Sequence, residues 1–173
     1  MGKLILISGA NGSGKSRYAE LLLSRTTGER YYIATMQPQT PENHQRIAKH
    51  RLQRQGLAFH TLELPCGLQN ARLPQAAVVL LEDVSNLLGN LLFEHNGTPQ
   101  QAMEEIRALQ ARCKLLVAVT ISDLCADEYQ QETAAYIHAL NQLNQALAQQ
   151  ADGVIELHNG QPVCKKGELH ALL

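Results

Sequence analysis

The chain has no tryptophan, and two phenylalanines and five tyrosines leave aromatics at 4% of 173 residues. So few flat rings exclude a surface on which single-stranded bases stack in series. Neither sign of charge dominates, because 15 basic and 16 acidic side chains give a net charge of −1. A protein that coats nucleic acid or an anionic membrane needs a cationic excess that is missing here. Long hydrophobic runs are missing too: no stretch approaches the ~18 apolar residues that a bilayer span requires. The opening MGKLILISGANG has only the short apolar run Leu4 to Ile7 before a glycine-rich turn, so it does not read as a signal peptide. Leu6 stands where a myristoylated Gly2 would require Ser or Thr. Cys66, Cys113, Cys125 and Cys164 are far apart and form no CxxC or Cys/His cluster. Neither a disulfide framework nor a zinc site is expected. These absences describe a soluble, cytoplasmic protein with no membrane insertion and no nucleic-acid partner.

What is present is enough for one core. Hydrophobic residues make up 45% and charged residues 18% of the chain, which predicts a single globular domain over residues 1–173. Lys3–Ser8, Ala77–Leu81 and Lys114–Thr120 are uninterrupted apolar runs, the pattern of strands covered on both faces. Arg30–Thr35 and Ala58–Leu64 are weaker strands. Helical spacing marks Ser16–Ser24, Glu42–Gln55, Val84–Glu94, Pro99–Arg112 and Asp127–Gln150. Alternating strands and helices predict an α/β fold, a mostly parallel sheet with helices on both faces. The tail from 153 to 166 reads as a C-terminal β-hairpin turning at Asn159-Gly160.

Between the first strand and the first helix stand Gly9, Ala10, Asn11, Gly12, Ser13, Gly14, Lys15 and Ser16. They satisfy the phosphate-loop pattern G-x-x-x-x-G-K-[ST] at every fixed position. Glycines let the backbone amides converge on a phosphate, and the helix adds its positive end. Lys15 would reach the β- and γ-phosphates, and the Ser16 hydroxyl would ligate Mg²⁺. An acidic partner is expected on a second strand, and Glu82 and Asp83 close the run VVLLED. Which of the two serves Mg²⁺ is left open by position alone. No Asn-Lys-x-Asp for guanine recognition follows, so a small P-loop kinase is expected rather than a Ras-like GTPase.

The segment PENHQRIAKHRLQRQG sets four cations, Arg46, Lys49, Arg51 and Arg54, against Glu42. Glu42, Arg46, His50 and Arg54 recur every four residues and are expected along one side of a helix. This is either a solvated helix with a Glu–Arg pair or a phosphate-gripping helix carrying a reactive histidine. Flanking cations would lower the imidazole pKa and favour the neutral, nucleophilic form.

Taken together, the P-loop followed by Arg17, then Tyr32-Ile33-Ala34-Thr35, Arg46-Ile47-x-x-His50, LLED…N-L-L and Asn144-Gln145-x-Leu147-Ala148-x-x-Ala151-Asp152 resemble one family. It is the adenosylcobinamide kinase/adenosylcobinamide-phosphate guanylyltransferase family of cobalamin biosynthesis. The resemblance runs nearly end to end. It implies a RecA-like sheet, a homotrimer, ATP and GTP as substrates, and adenosylcobinamide as acceptor. It implies phosphorylation of the acceptor hydroxyl, then transfer of GMP from GTP through a guanylylated histidine, giving adenosylcobinamide-GDP. His50 matches that histidine; Arg54 closes its motif, and Thr35, Met36, Glu63 and Glu82 match positions that hold the guanine nucleotide. The chain departs from the pattern at Pro41, where Asp is common, and at Gln55-Gly56, where Pro is usual. Ser122-Asp123-Leu124 replaces a longer loop with Asn-Glu-Val-Gly.

The residues alone also fit another small-molecule P-loop kinase, or a nucleotide-binding regulatory subunit with little turnover. His44 is a second histidine near the motif, expected on a different side of the helix from Arg46. His60 also lies near it, whereas His95, His138, His158 and His170 read as structural.

Overall fold

The computed structural model describes residues 1–168; His170 lies outside them. The strands are β1 (Lys3–Gly9), β2 (Arg30–Ala34), β3 (Phe59–Glu63), β4 (Val78–Glu82), β5 (Leu115–Ile121), β6 (Gly153–His158) and β7 (Gln161–Lys166). Five α-helices run between them: α1 (Lys15–Ser24), α2 (Pro41–Gln53), α3 (Val84–Glu94), α4 (Pro99–Gln110) and α5 (Gln131–Gln150). All seven strands form one sheet in the order β3-β2-β4-β5-β1-β6-β7. Every pairing is parallel except β6 with β7. The acid-bearing strand β4 is thus separated from the P-loop strand β1 by β5, as in a RecA-like sheet.

Alternation along each strand builds two cores. Leu4 and Leu6 of β1, Val79 and Leu81 of β4, and Leu116 and Ala118 of β5 face α3, α4 and α5. Ile5 and Ile7, with Val78, Leu80, Val117 and Val119, face Ala19, Leu22 and Leu23 of α1. Both faces are buried, which is why these strands read as unbroken apolar runs. Helix α2 buries none of its residues, and Leu52 is 73% exposed. Its thin apolar content leaves it standing over the sheet ends rather than in a core.

Local chemistry sets the boundaries. Thr40 caps α2 by accepting from Asn43 N at 3.1 Å, and Pro41 occupies the first helical turn. The departure at Pro41 is therefore a helix start. Gly56, at φ 84°, follows the last turn and lets the chain leave it. The last helix begins later than its spacing suggests: Ala126–Glu128 is a separate 3₁₀ turn, and Tyr129 and Gln130 are extended. Buried Ala126 anchors that turn against the core, interrupting the helix. At the other end of α5, Asp152 accepts from Leu4 N and donates to Leu4 O, both at 2.8 Å. This pair carries the β1–β6 ladder back to Leu4, which gives Asp152 a structural role.

Candidate functional site

The carboxyl ends of β1, β4 and β5 open onto one cleft, the usual place for a ligand in a parallel sheet. Residues 9–16 turn there from β1 into α1. Gly14, at φ 87°, is the helix cap, a left-handed conformation that costs glycine little. A Cβ on Gly9 would stand 2.5 Å from Ser13 Oγ and 2.8 Å from Leu157 O, so this close approach also requires glycine. The β6–β7 turn, with Asn159 and Gly160 both at positive φ, braces the loop through Gly160 N to Ser13 O at 2.9 Å.

Lys15 is 6% exposed and donates to Ala10 O at 3.2 Å. Ser16 Oγ donates to Glu82 Oε1 at 2.6 Å, while Glu82 Oε2 is buried without a partner among the described residues. Burial, then the neighbouring Asp83 charge, push the Glu82 carboxyl up to about 8. One oxygen of Asp83 is engaged elsewhere: Oδ1 accepts from Asn86 N and Ser85 Oγ, both at 2.7 Å, capping α3. An orphaned Glu82 oxygen beside the Ser16 hydroxyl fits Mg²⁺ arriving with nucleotide phosphates. Among the described residues no group of three His, Cys, Asp or Glu side chains could hold a metal.

Of the cavities that α2 lines, two meet at His50. One, of about 230 Å³, lies over the P-loop and is lined by Lys15, Arg17, Arg46, Lys49 and Gln53 above Glu82 and Asp83. The other, of about 210 Å³, lies toward β2 and β3 and is lined by His44, Ile47, Arg51 and Arg54 with Glu63 and Asn86. Met36, His50 and Glu82 border both. The row expected along one side is therefore divided, with Arg46 facing the P-loop cavity and Arg54 the other. Each step of four residues advances about 40° beyond a full turn, so a row twelve residues long drifts by about 120°. His50 sits at the seam.

His50 Nδ1 is buried without a hydrogen-bond partner among the described residues. Burial, then the charges of Arg54 and Arg46, hold its pKa below the ordinary value. The ring is accordingly neutral near pH 7 and keeps a lone pair for attack. His44 stands apart on the β2/β3 side, as its offset from Arg46 predicts.

Arg54, 8% exposed, stacks 3.8 Å from the Tyr32 ring centroid and donates to Thr61 Oγ1 at 3.1 Å. Arg17 donates to Gln53 O at 2.8 Å and pairs with Glu20 at 3.7 Å. These contacts tie the carboxyl end of α2, and so His50, to α1 and β3. Glu20 is fully buried and both of its oxygens lack hydrogen bonds among the described residues; burial raises its pKa despite Arg17 and Arg54. Thr35 is also fully buried, its hydroxyl donating to Asp83 O and accepting from Asp83 N. Its side chain braces the cavity from behind, and Met36 provides the wall. Glu63 is paired with Arg51.

The sequence alone gives no role in the site to Glu20 or to two asparagines, Asn86 and Asn90; Arg51 enters there only as one of four cations and Tyr32 only as part of a motif. A signal for the asparagines is present: two amides four residues apart on an otherwise apolar helix. Asn90 Nδ2 donates to Thr35 O and Pro65 O, each at 2.8 Å, joining the chain beyond β2 to the chain beyond β3. Asn90→Ala leaves both carbonyls without that donor and is expected to cost about 2 kcal/mol. Thermal unfolding should show a Tm lowered by roughly 4–8 °C.

Residues 5–165 match the family described as cobinamide kinase / cobinamide phosphate guanyltransferase. The chain belongs to this family. Family membership makes it an enzyme and agrees with the resemblance carried by the P-loop, His50 and Asn144–Asp152 motifs. The bifunctional adenosylcobalamin biosynthesis protein CobU of Escherichia coli (strain K12) is 38% identical over 127 residues, covering 64% of this chain and 68% of that protein. Its namesake in Salmonella typhimurium (strain LT2) is 34% identical over 126 residues, 66% of each chain. A prototypical ATPase from the type III secretion system of pathogenic bacteria aligns at a TM-score of 0.49 with 10% identity, over 91% of this chain and 52% of that one. That likeness is too remote to bear on function. No helix among the described residues is long and apolar enough to cross a membrane.

Proposed function

We propose that the enzyme phosphorylates the hydroxyl of adenosylcobinamide and then guanylylates the new phosphate, using one P-loop for both reactions. In the first reaction the γ-phosphoryl group of ATP or GTP passes to the acceptor hydroxyl. In the second, GTP lays its triphosphate along residues 9–16 and its base in the cavity beside β2 and β3. The observation that carries this reading is the place of His50 on the partition between the two cavities. A base on one side and a β,γ-diphosphate on the other bring the α-phosphorus to that partition.

The neutral imidazole attacks the α-phosphorus. A P–N bond forms, the bond to the bridging oxygen breaks, and pyrophosphate departs with the electron pair. Lys15 and the loop amides hold the charge that grows on the departing oxygens. Glu63 is suited to accept from guanine N–H groups, and Arg51 holds its carboxylate in place. Mg²⁺ would be held by Ser16 and Glu82, rather than by the capping Asp83, and would offset charge on the phosphates.

Incubation with α-³²P-labelled GTP and Mg²⁺ tests the covalent route. Acid-labile, alkali-stable label is expected on the wild type and not on His50→Ala. Wild-type protein that takes up no label would sink the guanylyltransferase reading.

A further inference from the structure

The geometry points to a second occupant of the P-loop: we propose that it is also the binding site for the phosphate of the guanylyl acceptor. The inference rests on guanylylation of His50 and adds where the second substrate must enter. Attack on phosphorus is in line, so the incoming and departing atoms lie on opposite sides. If His50 approaches the α-phosphorus from the partition, pyrophosphate leaves toward Lys15 and Ser16. In the second transfer His50 is the leaving group, so the acceptor must approach from the position that pyrophosphate vacated. There a non-bridging oxygen of the acceptor phosphate attacks, a P–O bond forms, the P–N bond breaks, and the imidazole nitrogen recovers its electron pair. The product is a diphosphate diester, and the ring returns neutral.

The vacated cavity is built for a phosphomonoester. Its P-loop amides form a single anion nest, and Arg46 and Lys49 line it with no ion pair or hydrogen bond of their own among the described residues. The cations of the β2/β3 cavity are already engaged, Arg51 paired with Glu63 and Arg54 stacked on Tyr32. One nest cannot hold a nucleotide's β,γ-phosphates and an acceptor phosphate together. GTP and the phosphorylated acceptor must therefore exclude each other, and the kinase product has to vacate the loop before GTP loads.

Calorimetric titration of His50→Ala, which cannot be guanylylated, with a non-hydrolysable GTP analogue separates the alternatives. With cobinamide phosphate at nine times its own Kd, the apparent Kd of the analogue should rise about tenfold by mass action. Unphosphorylated cobinamide at the same concentration should leave it unchanged. An unchanged Kd with cobinamide phosphate, or an equal rise with both corrinoids, overturns the proposal. A second measurement uses Lys49→Gln: label uptake should need several-fold more GTP, and discharge of the labelled enzyme several-fold more cobinamide phosphate. A change in the first alone places the acceptor elsewhere. Label that forms on the wild type but is not discharged by cobinamide phosphate would instead refute the guanylyltransferase reading itself.

Discussion

Lys15→Ala is expected to lower both reactions together, each by about 10²–10³-fold, the effect of deleting one donor aimed at charge developing in a transition state. The side chain is 6% exposed and folded back on Ala10 O at 3.2 Å, within the loop that it serves. Its removal takes away a cation without opening a core, because neither hydrophobic cluster includes it. Transfer of γ-³²P to cobinamide and uptake of α-³²P by His50 report the two reactions separately. His50→Ala should abolish the second and cost the first far less. Loss of only one activity in Lys15→Ala would mean that two phosphate sites exist. A fold-wide failure would show as a lowered Tm, which is not expected.

Much of this site was legible because its parts are local. A buried strand, a glycine loop and a helix stand in immediate succession, so residues 9–16 announce the turn that the structure shows and, through it, the phosphate they are proposed to hold. The unbroken runs of β1, β4 and β5 followed from burial on both faces. Asp83 shows where local reading stops short. Its side chain was free by position to serve Mg²⁺, yet Asn86 N, three residues on, takes it as a helix cap. A capping aspartate before an apolar helix is a sequence signal in its own right, and it supports the proposal of Glu82 as the residue that would hold the ion.

Other features depend on distance in the chain and could not be read from spacing. Arg54 has the residue type and position of a phosphate ligand, but Tyr32 and Thr61, brought alongside by β2 and β3, receive it. Thr35 falls in a motif expected to contact nucleotide, yet its hydroxyl faces the backbone at position 83. The division of α2 between two cavities arises because a four-residue step is not a whole turn. Only placement over the sheet ends turns that drift into a seam with His50 on it.

Glu82→Gln should trade function for stability, and pH reveals why. Burial raises the Glu82 carboxyl from 4.5 to about 8 in the folded protein. An unfolded chain ionises near 4.5, so ionisation favours unfolding as pH rises from there. The native state then loses stability up to about pH 8, where the folded group ionises too and the loss levels off. One pKa unit corresponds to about 1.4 kcal/mol, so the loss amounts to a few kcal/mol. The amide introduced by Glu82→Gln would keep an oxygen to accept from Ser16 Oγ and carries no charge to bury. The variant and the wild type should therefore melt together near pH 4.5, with the variant's Tm pulling ahead as pH rises to 8. Mg²⁺-dependent activity should fall by at least about a hundredfold, because the carboxylate beside Ser16 is gone. Mg²⁺–nucleotide binding to the wild type below pH 8 should release up to one proton, visible as a buffer-dependent heat that Glu82→Gln lacks. Equal Tm values at pH 8, or proton release unchanged in the variant, would show that Glu82 is not the buried acid that receives the ion.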